Sequence, residues 1–209
     1  MTSATTANRA ARLHLQGRLD LATHASELLH SKEEALQREH NRLRGHADRT
    51  QADWHERLHQ AAIWLLRARA LGAGSELTTG SQPPERATVD INWRTSMGVT
   101  YPGTVRTTAG STPAFTSTAA LTPTRDAYAA ALDAATEHAA ARAALQRVEA
   151  ELADTRRRRR ALEQHLVPRL QSELHRLDLT LDERDRDAAL RTQLAIRRRG
   201  AASAREPTP

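Results

Sequence analysis

Apolar residues recur at every seventh position in the N-terminal third of the chain. This first row consists of Leu15, Ala22, Leu29, Leu36 and Leu43. A second, more polar row interleaves with it and consists of Leu19, Ser26, Glu33, His40, Ala47 and Trp54. Heptad spacing of this kind predicts a long helix. Its narrow apolar seam needs a partner helix, because such a seam is not stable alone.

Beyond Trp54 the apolar positions follow a different spacing. They are Leu58, Ala61, Leu65 and Ala68. Compared with the heptad rows, one extra residue enters between Thr50 and Leu58. An insertion of this kind unwinds a coiled coil locally, so the pattern predicts a register shift next to Trp54.

The C-terminal third carries a longer apolar stripe and predicts a second helix. Thr122 is suited to the N-cap, Pro123 to the first turn and Asp126 to the positive end of the helix. Pro168 falls inside the stripe, where it predicts a kink because the apolar pattern resumes at once. Gly200 is predicted to end the helix. The stripe consists of Tyr128, Leu132, Ala135, Ala139, Leu145, Val148, Leu152, Leu162, Leu166, Leu170, Leu174, Leu177, Leu181 and Leu194.

Two short segments with alternating apolar and polar residues lie between the helical regions. Their apolar positions are Val89, Ile91 and Trp93, then Met97, Val99 and Tyr101. This alternation predicts a small β-hairpin, which needs packing on the helices to be stable.

The fold class predicted from these patterns is mainly α. It is a long antiparallel two-helix coiled coil, formed by the N- and C-terminal helices, with a small β-hairpin or irregular insert in the middle. The predicted segments are a helix within 1–71 with disordered first residues, a Gly/Pro-rich insert at 72–122, a helix at 123–200 and a disordered tail at 201–209.

Composition narrows the possible functions. The 209-residue chain has no cysteine, which excludes disulfides, thiolate zinc sites and a cysteine nucleophile. It has no apolar leader and no run of about 18 apolar residues, so we expect neither standard export nor a membrane span. Lys32 is the only lysine and no Gly-rich loop precedes it, so nucleotide binding by a P-loop is not expected.

One motif matches the sequence pattern of a zinc protease site. His55, Glu56 and His59 form the H-E-x-x-H pattern, which places two potential zinc ligands one helical turn apart. A working site also needs a third ligand and a cleft that holds water. The motif lies in a predicted coiled-coil helix rich in histidine, so we interpret it as part of a solvated helix face.

The chain has a net charge of +6, and five of its arginines, 156–160, are consecutive. Successive residues of an α-helix are 100° apart around its axis, so five in a row point in all directions. These arginines therefore form a collar and not a flat face. The seam places Thr155 and Arg159 towards the partner helix, near residues 33–39, where Glu33, Glu34 and Glu39 are available. Ordinary solvation, a positive collar and nucleic-acid binding are the three interpretations, and no recognised nucleic-acid motif supports the last.

The N-terminal helix resembles a known family. The stretch RLHLQGRLDLATHASELLHSKEEAL, residues 12–36, is similar to the D subunit of V/A-type ATPases and ATP synthases, the central-stalk rotor shaft. The family pattern is Leu-x-Leu-x-x-x-Leu-x-x-Ala followed by Leu-Leu-x-x-Lys-x-x-x-Leu. The matching positions are Leu13, Leu15, Leu19, Ala22, Leu28, Leu29, Lys32 and Leu36.

The resemblance continues in the C-terminal helix and the hairpin. The family signature there is Arg-Arg-x-x-Ala-Leu-Glu, Ile-Pro-x-Leu and Leu-Asp-Glu-Arg-Glu-Arg-Glu, with Met-Gly-Val-x-x-Pro in the hairpin. The matching residues are Arg157, Arg158, Ala161, Leu162, Glu163, Val167, Pro168, Leu170, residues 181–187, Met97, Gly98, Val99 and Pro102. The departures are Ala7-Asn8 for Pro-Thr, Ala25 for glycine, and Arg159-Arg160 for an apolar residue followed by Asn.

The resemblance implies a non-catalytic rotor subunit that couples ATP synthesis or hydrolysis to proton or sodium transport. It implies contacts with catalytic and non-catalytic head subunits, the F subunit of the rotor and the ring-linking subunit, at the cytoplasmic face of the plasma membrane. It implies no catalytic residue, cofactor or metal, and no binding of nucleotide or nucleic acid. The alternative is a stand-alone basic helical hairpin that binds nucleic acid or an acidic protein. Candidate contact residues are Arg157, Arg158, Arg159, Arg160, Met97, Gly98, Val99, Pro102, Asp182, Glu183 and Arg184.

Overall fold

The computed structural model describes residues 9–73, 86–108, 110 and 119–203, without the side chains of 200–203. Its elements are α1 (Arg9–Ala70), β1 (Thr88–Ser96), β2 (Val99–Thr108), α2 (Leu121–Ala161), a π-helical turn (Leu162–Leu166) and α3 (Val167–Ser203). The predicted fold class is confirmed: long N- and C-terminal helices enclose a two-stranded antiparallel sheet in the sequence.

The chain divides into two units. The terminal unit comprises Met1–His30 with Arg156–Pro209, and the central unit comprises Ser31–Thr155. In the terminal unit Arg12 binds Asp178 at 2.7 Å and Ser26 binds Glu163 at 3.0 Å. Ser26 comes later in α1 than Arg12, but its partner Glu163 comes earlier in the chain than Asp178. The helices of this unit therefore run antiparallel.

The helices of the central unit are also antiparallel. The Lys32 ammonium lies 2.6 Å from Glu151, and the Thr124 hydroxyl lies 3.1 Å from the carbonyl oxygen of Trp64. One core of this unit joins both helices and the sheet and consists of Leu36, Leu43, Tyr101, Ala144, Val148 and Leu152. A second cluster near the end of α1 consists of Ala68, Ala73 and Ala120.

The seam of α1 continues without the predicted register shift. Ala47, Trp54, Ala61 and Ala68 keep a spacing of seven, and all four are buried or half-buried. Leu58 is 41% exposed. The prediction of a stutter beside Trp54 is therefore wrong, because Leu58 lies outside the seam, whereas Ala61 and Ala68 are buried in it as predicted.

The first half of α2 buries small residues. Tyr128 and Leu132, both predicted for the stripe, are each 40% exposed, and Ala139 is exposed as well. The predicted stripe started from the two large side chains Tyr128 and Leu132, whereas smaller side chains fill the seam at this point. The seam here consists of Thr124, Ala131, Ala134, His138, Ala141 and Ala144. Further along, Val148, Leu152 and Leu170 are buried as predicted, and Leu194 is exposed.

An extra residue enters the C-terminal helical segment at the π-helical turn. The backbone N–H of Val167 donates to the carbonyl oxygen of Leu162, five residues back. The next residue, Pro168, has no N–H to donate in an α-helical bond. The wider turn moves Leu170 into the seam and leaves Arg169 exposed. Where a kink was predicted at Pro168, the structure has a π-helical turn just before it, and this turn shifts the register of the seam.

The ends of the C-terminal segment differ from two expectations. The helix begins at Leu121, so Thr122 lies in its first turn and is not the N-cap. Pro123 lies in the first turn as predicted. The helix continues past Gly200 to Ser203, and the expected disorder at both chain ends otherwise falls on 1–8 and 204–209, outside the described residues.

The predicted β-hairpin is confirmed. Ser96 pairs with Val99 around a two-residue turn, in which Met97 and Gly98 have φ angles of 50° and 81°. Glycine adopts a positive φ at little cost, and the two positive angles match a tight hairpin turn. The pairing register shifts between Asn92 and Trp93, which marks a β-bulge. The rest of the predicted insert falls mainly on residues outside the described ranges.

Candidate functional site

The β-hairpin is attached to α1 through Tyr101. The Tyr101 side chain is 2% exposed, and its hydroxyl donates a hydrogen bond to Glu39. Glu39 also accepts two bonds from Arg42, at 2.9 Å from Nε and 2.6 Å from Nη2. The Arg42 bond, with smaller help from Tyr101, lowers the pKa of Glu39 to about 2, and burial raises the pKa of Tyr101. The three groups fix the sheet on α1.

The hairpin is attached to α2 through Arg147 and Thr136. Arg147 donates to the carbonyl oxygen of Thr100 at 2.8 Å, and its guanidinium lies 5.0 Å from the centre of the Trp93 ring. The hydroxyls of Thr107 and Thr136 are 2.6 Å apart. Together with the Tyr101 bond, these contacts hold the hairpin against both helices.

The four predicted contact residues of the hairpin occupy two different environments. Met97 and Gly98 lie at the turn and are exposed. Val99 packs against the core, and Pro102 is buried. In the chain itself, Val99 and Pro102 hold the hairpin in place, whereas Met97 and Gly98 are accessible to a partner.

The arginine collar is mostly accessible. Arg157, Arg158 and Arg160 are exposed, and Arg159 is partly buried. Arg159 donates to both oxygens of Glu163, at 3.0 and 2.8 Å, and this pairing is the main reason why the pKa of Glu163 is lowered.

The sequence also predicted the surroundings of the collar: a buried Thr155 and carboxylates near Arg159. Thr155 is buried as expected from the seam. Glu39, one of the three carboxylates expected near Arg159, accepts bonds from Arg42 and Tyr101 in the central unit. The predicted proximity of Arg159 to residues 33–39 stays a prediction.

The predicted contact residues of α3 lie in its C-terminal half. Asp182, Glu183 and Arg184 are exposed. Asp182 lines an open groove of about 570 Å³ in the terminal unit, with Arg9, Arg12, Leu13, Asp178, Leu181 and Asp185. Arg9 and Asp185 of this groove form an ion pair, with 3.5 Å between Nη2 and Oδ2.

Apolar side chains are exposed in the terminal unit as well. They are Leu13, Leu21, Leu28, Leu179, Leu190, Leu194 and Ile196. The residues from 182 to 199 are exposed without a break.

The signature residues belong to a match that covers most of the chain. The profile of the family described as the D subunit of ATP synthase matches residues 11–196. The chain belongs to this family. It is 32% identical over 205 residues to the V-type ATP synthase D subunit of Anaeromyxobacter sp. (strain Fw109-5), with 93% of this chain and 95% of that protein covered. It is 30% identical over 192 residues to the A-type ATP synthase D subunit of Methanopyrus kandleri, with 86% and 80% covered.

Lys32, which the sequence matched to the lysine of the D-subunit family, has a structural role in this member. Its pair with Glu151 joins α1 to α2, and both side chains are about two-thirds buried or more. Within the described ranges, no helix is long and apolar enough to cross a membrane.

The residues of the H-E-x-x-H motif lie on the surface of this family member. His55, Glu56 and His59 are exposed on α1, and Glu56 accepts a bond from Gln60 at 3.0 Å. The described residues hold no group of three or more His, Asp or Glu side chains placed to bind a metal. Trp54 is half-buried in the seam, as expected.

The residues that position the hairpin were not predicted from the sequence. Glu39 and Arg42 are three positions apart, a spacing that signals a possible ion pair on a helix. Nothing in the sequence indicates that the pair receives Tyr101. Arg147 carries no local signal, because its partners lie in the hairpin about fifty residues away.

Proposed function

We propose that the chain is the non-catalytic central-stalk rotor subunit of a V/A-type ATP synthase or ATPase. In this role it couples ATP synthesis or hydrolysis in the catalytic head to proton or sodium transport by rotation. The observation that carries the proposal is the family match over residues 11–196. The relatives are named as subunits of A-type and V-type ATP synthases, which supports the same kind of assembly here.

The contacts within each unit are compatible with transmitting torque. Antiparallel helices connected by seams and by ion pairs such as Lys32–Glu151 resist separation. The hairpin has side-chain bonds to both α1 and α2, so it moves with the helices. The chain needs no reactive group for this task. It acts by presenting different contacts to each head subunit, which shifts the conformational equilibrium of that subunit.

We assign the head contacts to the terminal unit. Its exposed leucines and the arginine collar supply apolar and charged surface for the catalytic and non-catalytic subunits. We assign the F subunit and the ring-linking subunit to the turn of the hairpin and the nearby helix ends. The assembled chain then lies at the cytoplasmic face of the plasma membrane.

Reconstitution with the head subunits of the same organism tests this proposal. We expect the chain to co-purify with them and to increase their rate of ATP hydrolysis. Reversing the charge of the collar, with Arg158→Glu and Arg160→Glu together, should lower that rate. The matched control is Arg125→Glu with Arg142→Glu, which reverses two exposed arginines in the central unit.

The alternative function gives a different result in the same preparation. A basic nucleic-acid binder would remain apart from the head subunits and bind DNA or RNA with an affinity that falls steeply with salt. Failure to co-purify, combined with such binding, would replace the rotor proposal with this alternative.

A further inference from the structure

The turn of the β-hairpin holds a methionine in a backbone conformation that suits other residues better. Met97 has a φ of 50°, and within the described ranges it is the only residue besides glycine with a positive φ. The two-residue turn between Ser96 and Val99 needs a positive φ at both central positions, for which Asn-Gly, Asp-Gly and Gly-Gly are preferred. A side chain as large as that of methionine makes this conformation unfavourable. The turn is therefore strained at Met97.

The Met97 side chain obtains little stabilisation from the chain itself. It is 51% exposed, whereas the neighbouring Val99 packs against the core. A thioether sulfur is only a weak hydrogen-bond acceptor, so Met97 cannot bond to the turn backbone as an asparagine side chain does. Neither burial nor hydrogen bonding among the described residues explains why a methionine stands at this position.

The backbone around Met97 is held in place. The carbonyl oxygen of Thr100 accepts a bond from Arg147 at 2.8 Å, and the hydroxyls of Thr95 and Thr100 are 3.0 Å apart. Tyr101 is buried in the core of the central unit. The hairpin therefore presents Met97 on a preorganised turn, which lowers the ordering cost when a partner binds.

The turn is beyond the reach of the segments that flank the hairpin outside the described ranges. These segments, 74–85 and 111–118, span at most about 43 and about 29 Å when fully extended. Each runs between the open end of the hairpin, about 30 Å from the turn, and the second cluster, which includes Ala68. Ala68 lies roughly 43 Å along α1 from Glu39, the residue that binds Tyr101 close to the turn. Neither segment is long enough to make the detour over Met97.

We propose that Met97 is an apolar contact residue that the hairpin inserts into an apolar pocket of a neighbouring subunit, and that the strained turn is retained for this contact. Strained backbone of this kind is concentrated at binding sites and active sites. Methionine suits the task, because its flexible, polarisable side chain adapts to the shape of a pocket. The inference rests on the proposed rotor function, which assigns the F subunit and the ring-linking subunit to this turn. These two subunits are the candidate sources of the pocket.

Met97→Asn tests the proposal, because it relieves the strain and removes the apolar side chain. Urea denaturation of the full-length chain should give an unfolding equilibrium constant about fivefold lower than that of the wild type. Titrations with the purified F subunit and with the purified ring-linking subunit identify which of them holds the pocket. For that subunit the Kd should rise by at least about tenfold, since a buried apolar side chain is lost.

Met97→Leu is the matched control. Leucine keeps an apolar side chain of similar volume and the same unfavourable φ, so stability and both Kd values should stay within about threefold of the wild type. A purely structural role for Met97 would change stability alone, whereas a partner contact makes stability and binding of Met97→Asn move in opposite directions.

Three results overturn the proposal. The first is a Met97→Asn chain that binds both subunits as tightly as the wild type does. The second is a Met97→Asn chain that is no more stable than the wild type, and the third is a wild-type chain that binds neither subunit. The rotor proposal has a separate measurement, co-purification with the head subunits, so its failure is distinguishable from a failure of the Met97 contact.

Discussion

Tyr101 of the β-hairpin donates a hydrogen bond to Glu39, 62 positions earlier on α1. The ring of Tyr101 is packed in the core that joins α1 and α2, and its hydroxyl reaches a carboxylate already held by Arg42. One side chain thus combines apolar burial with a bond to a charged group. This relationship makes the small sheet part of the central unit.

Replacing Tyr101 with Phe tests the contribution of the hydroxyl. The ring stays in the core, while the bond to Glu39 is lost, so the free energy of unfolding should fall by about 1–2 kcal/mol. Urea denaturation measures the change. Tyr128→Phe is the matched control, since that tyrosine is exposed, and it should have little effect. Equal losses in the two variants would contradict the assigned role.

The stability of the central unit should depend on the ionisation of Glu39. Its pKa is lowered from 4.5 to about 2, first by Arg42 and then by Tyr101. The folded chain therefore binds this proton less tightly than the unfolded chain does. The stabilisation is complete above about pH 4.5 and is lost as the pH falls towards 2, with a ceiling of roughly 3 kcal/mol.

Glu39→Gln should remove this pH dependence. The difference in urea midpoint between the wild type and the variant should shrink as the pH is lowered through that window. A difference that stays constant with pH would show that ionised Glu39 does not stabilise the fold.

Two glycines should respond in opposite ways to alanine. Gly17 lies in α1 with no atom near the position of an added Cβ, so Gly17→Ala should raise the free energy of unfolding by about 0.5–1 kcal/mol. At Gly103 the added Cβ would lie 2.5 Å from Arg94 Cγ and 3.0 Å from the Asn92 carbonyl oxygen. Gly103→Ala should therefore lower it by about 1–3 kcal/mol. Thermal unfolding of both variants checks the signs, and a stabilising Gly103→Ala would contradict the described bulge.

The π-helical turn should tolerate the loss of one residue. In a Pro168→Ala background, deleting the exposed Gln164 converts the turn to α-helix and keeps Leu170 in the seam. Deleting the exposed Gln171 instead removes a residue outside the turn. Either Leu170 or the leucines after it are then rotated out of the seam. We expect little loss of stability for the first deletion and about 2–5 kcal/mol for the second. Equal losses would show that the turn does not carry the register shift.

The long helices and the hairpin could be predicted from the sequence because their signals are local. The rows through Leu36 and Leu43 repeat every seven residues, and Val89, Ile91 and Trp93 alternate with polar residues. Both patterns report which face of an element is buried. Function was predicted in a different way, from the match of Lys32, Arg157 and Arg158 to the pattern of the D-subunit family.

The details that were predicted wrongly depend on small side chains and on backbone geometry. Ala131 and Ala134 fill the seam of α2, but the larger Tyr128 and Leu132 gave the stronger hydrophobic signal. The extra residue of the π-helical turn shifts the positions that face the seam. The residue types around the turn give no signal of this shift. The contacts of Arg147 arise only after the chain has folded, so no local pattern contains them.

Rotation within the assembled complex tests the central claim most directly. The chain contains no cysteine, so Met97→Cys gives a unique attachment point at the exposed turn of the hairpin. With the head subunits fixed to a surface, a particle attached to this residue should rotate in one direction when ATP is supplied and stop when ATP is removed. A particle that stays still on a complex shown to hydrolyse ATP would contradict the assignment of this chain as the rotor.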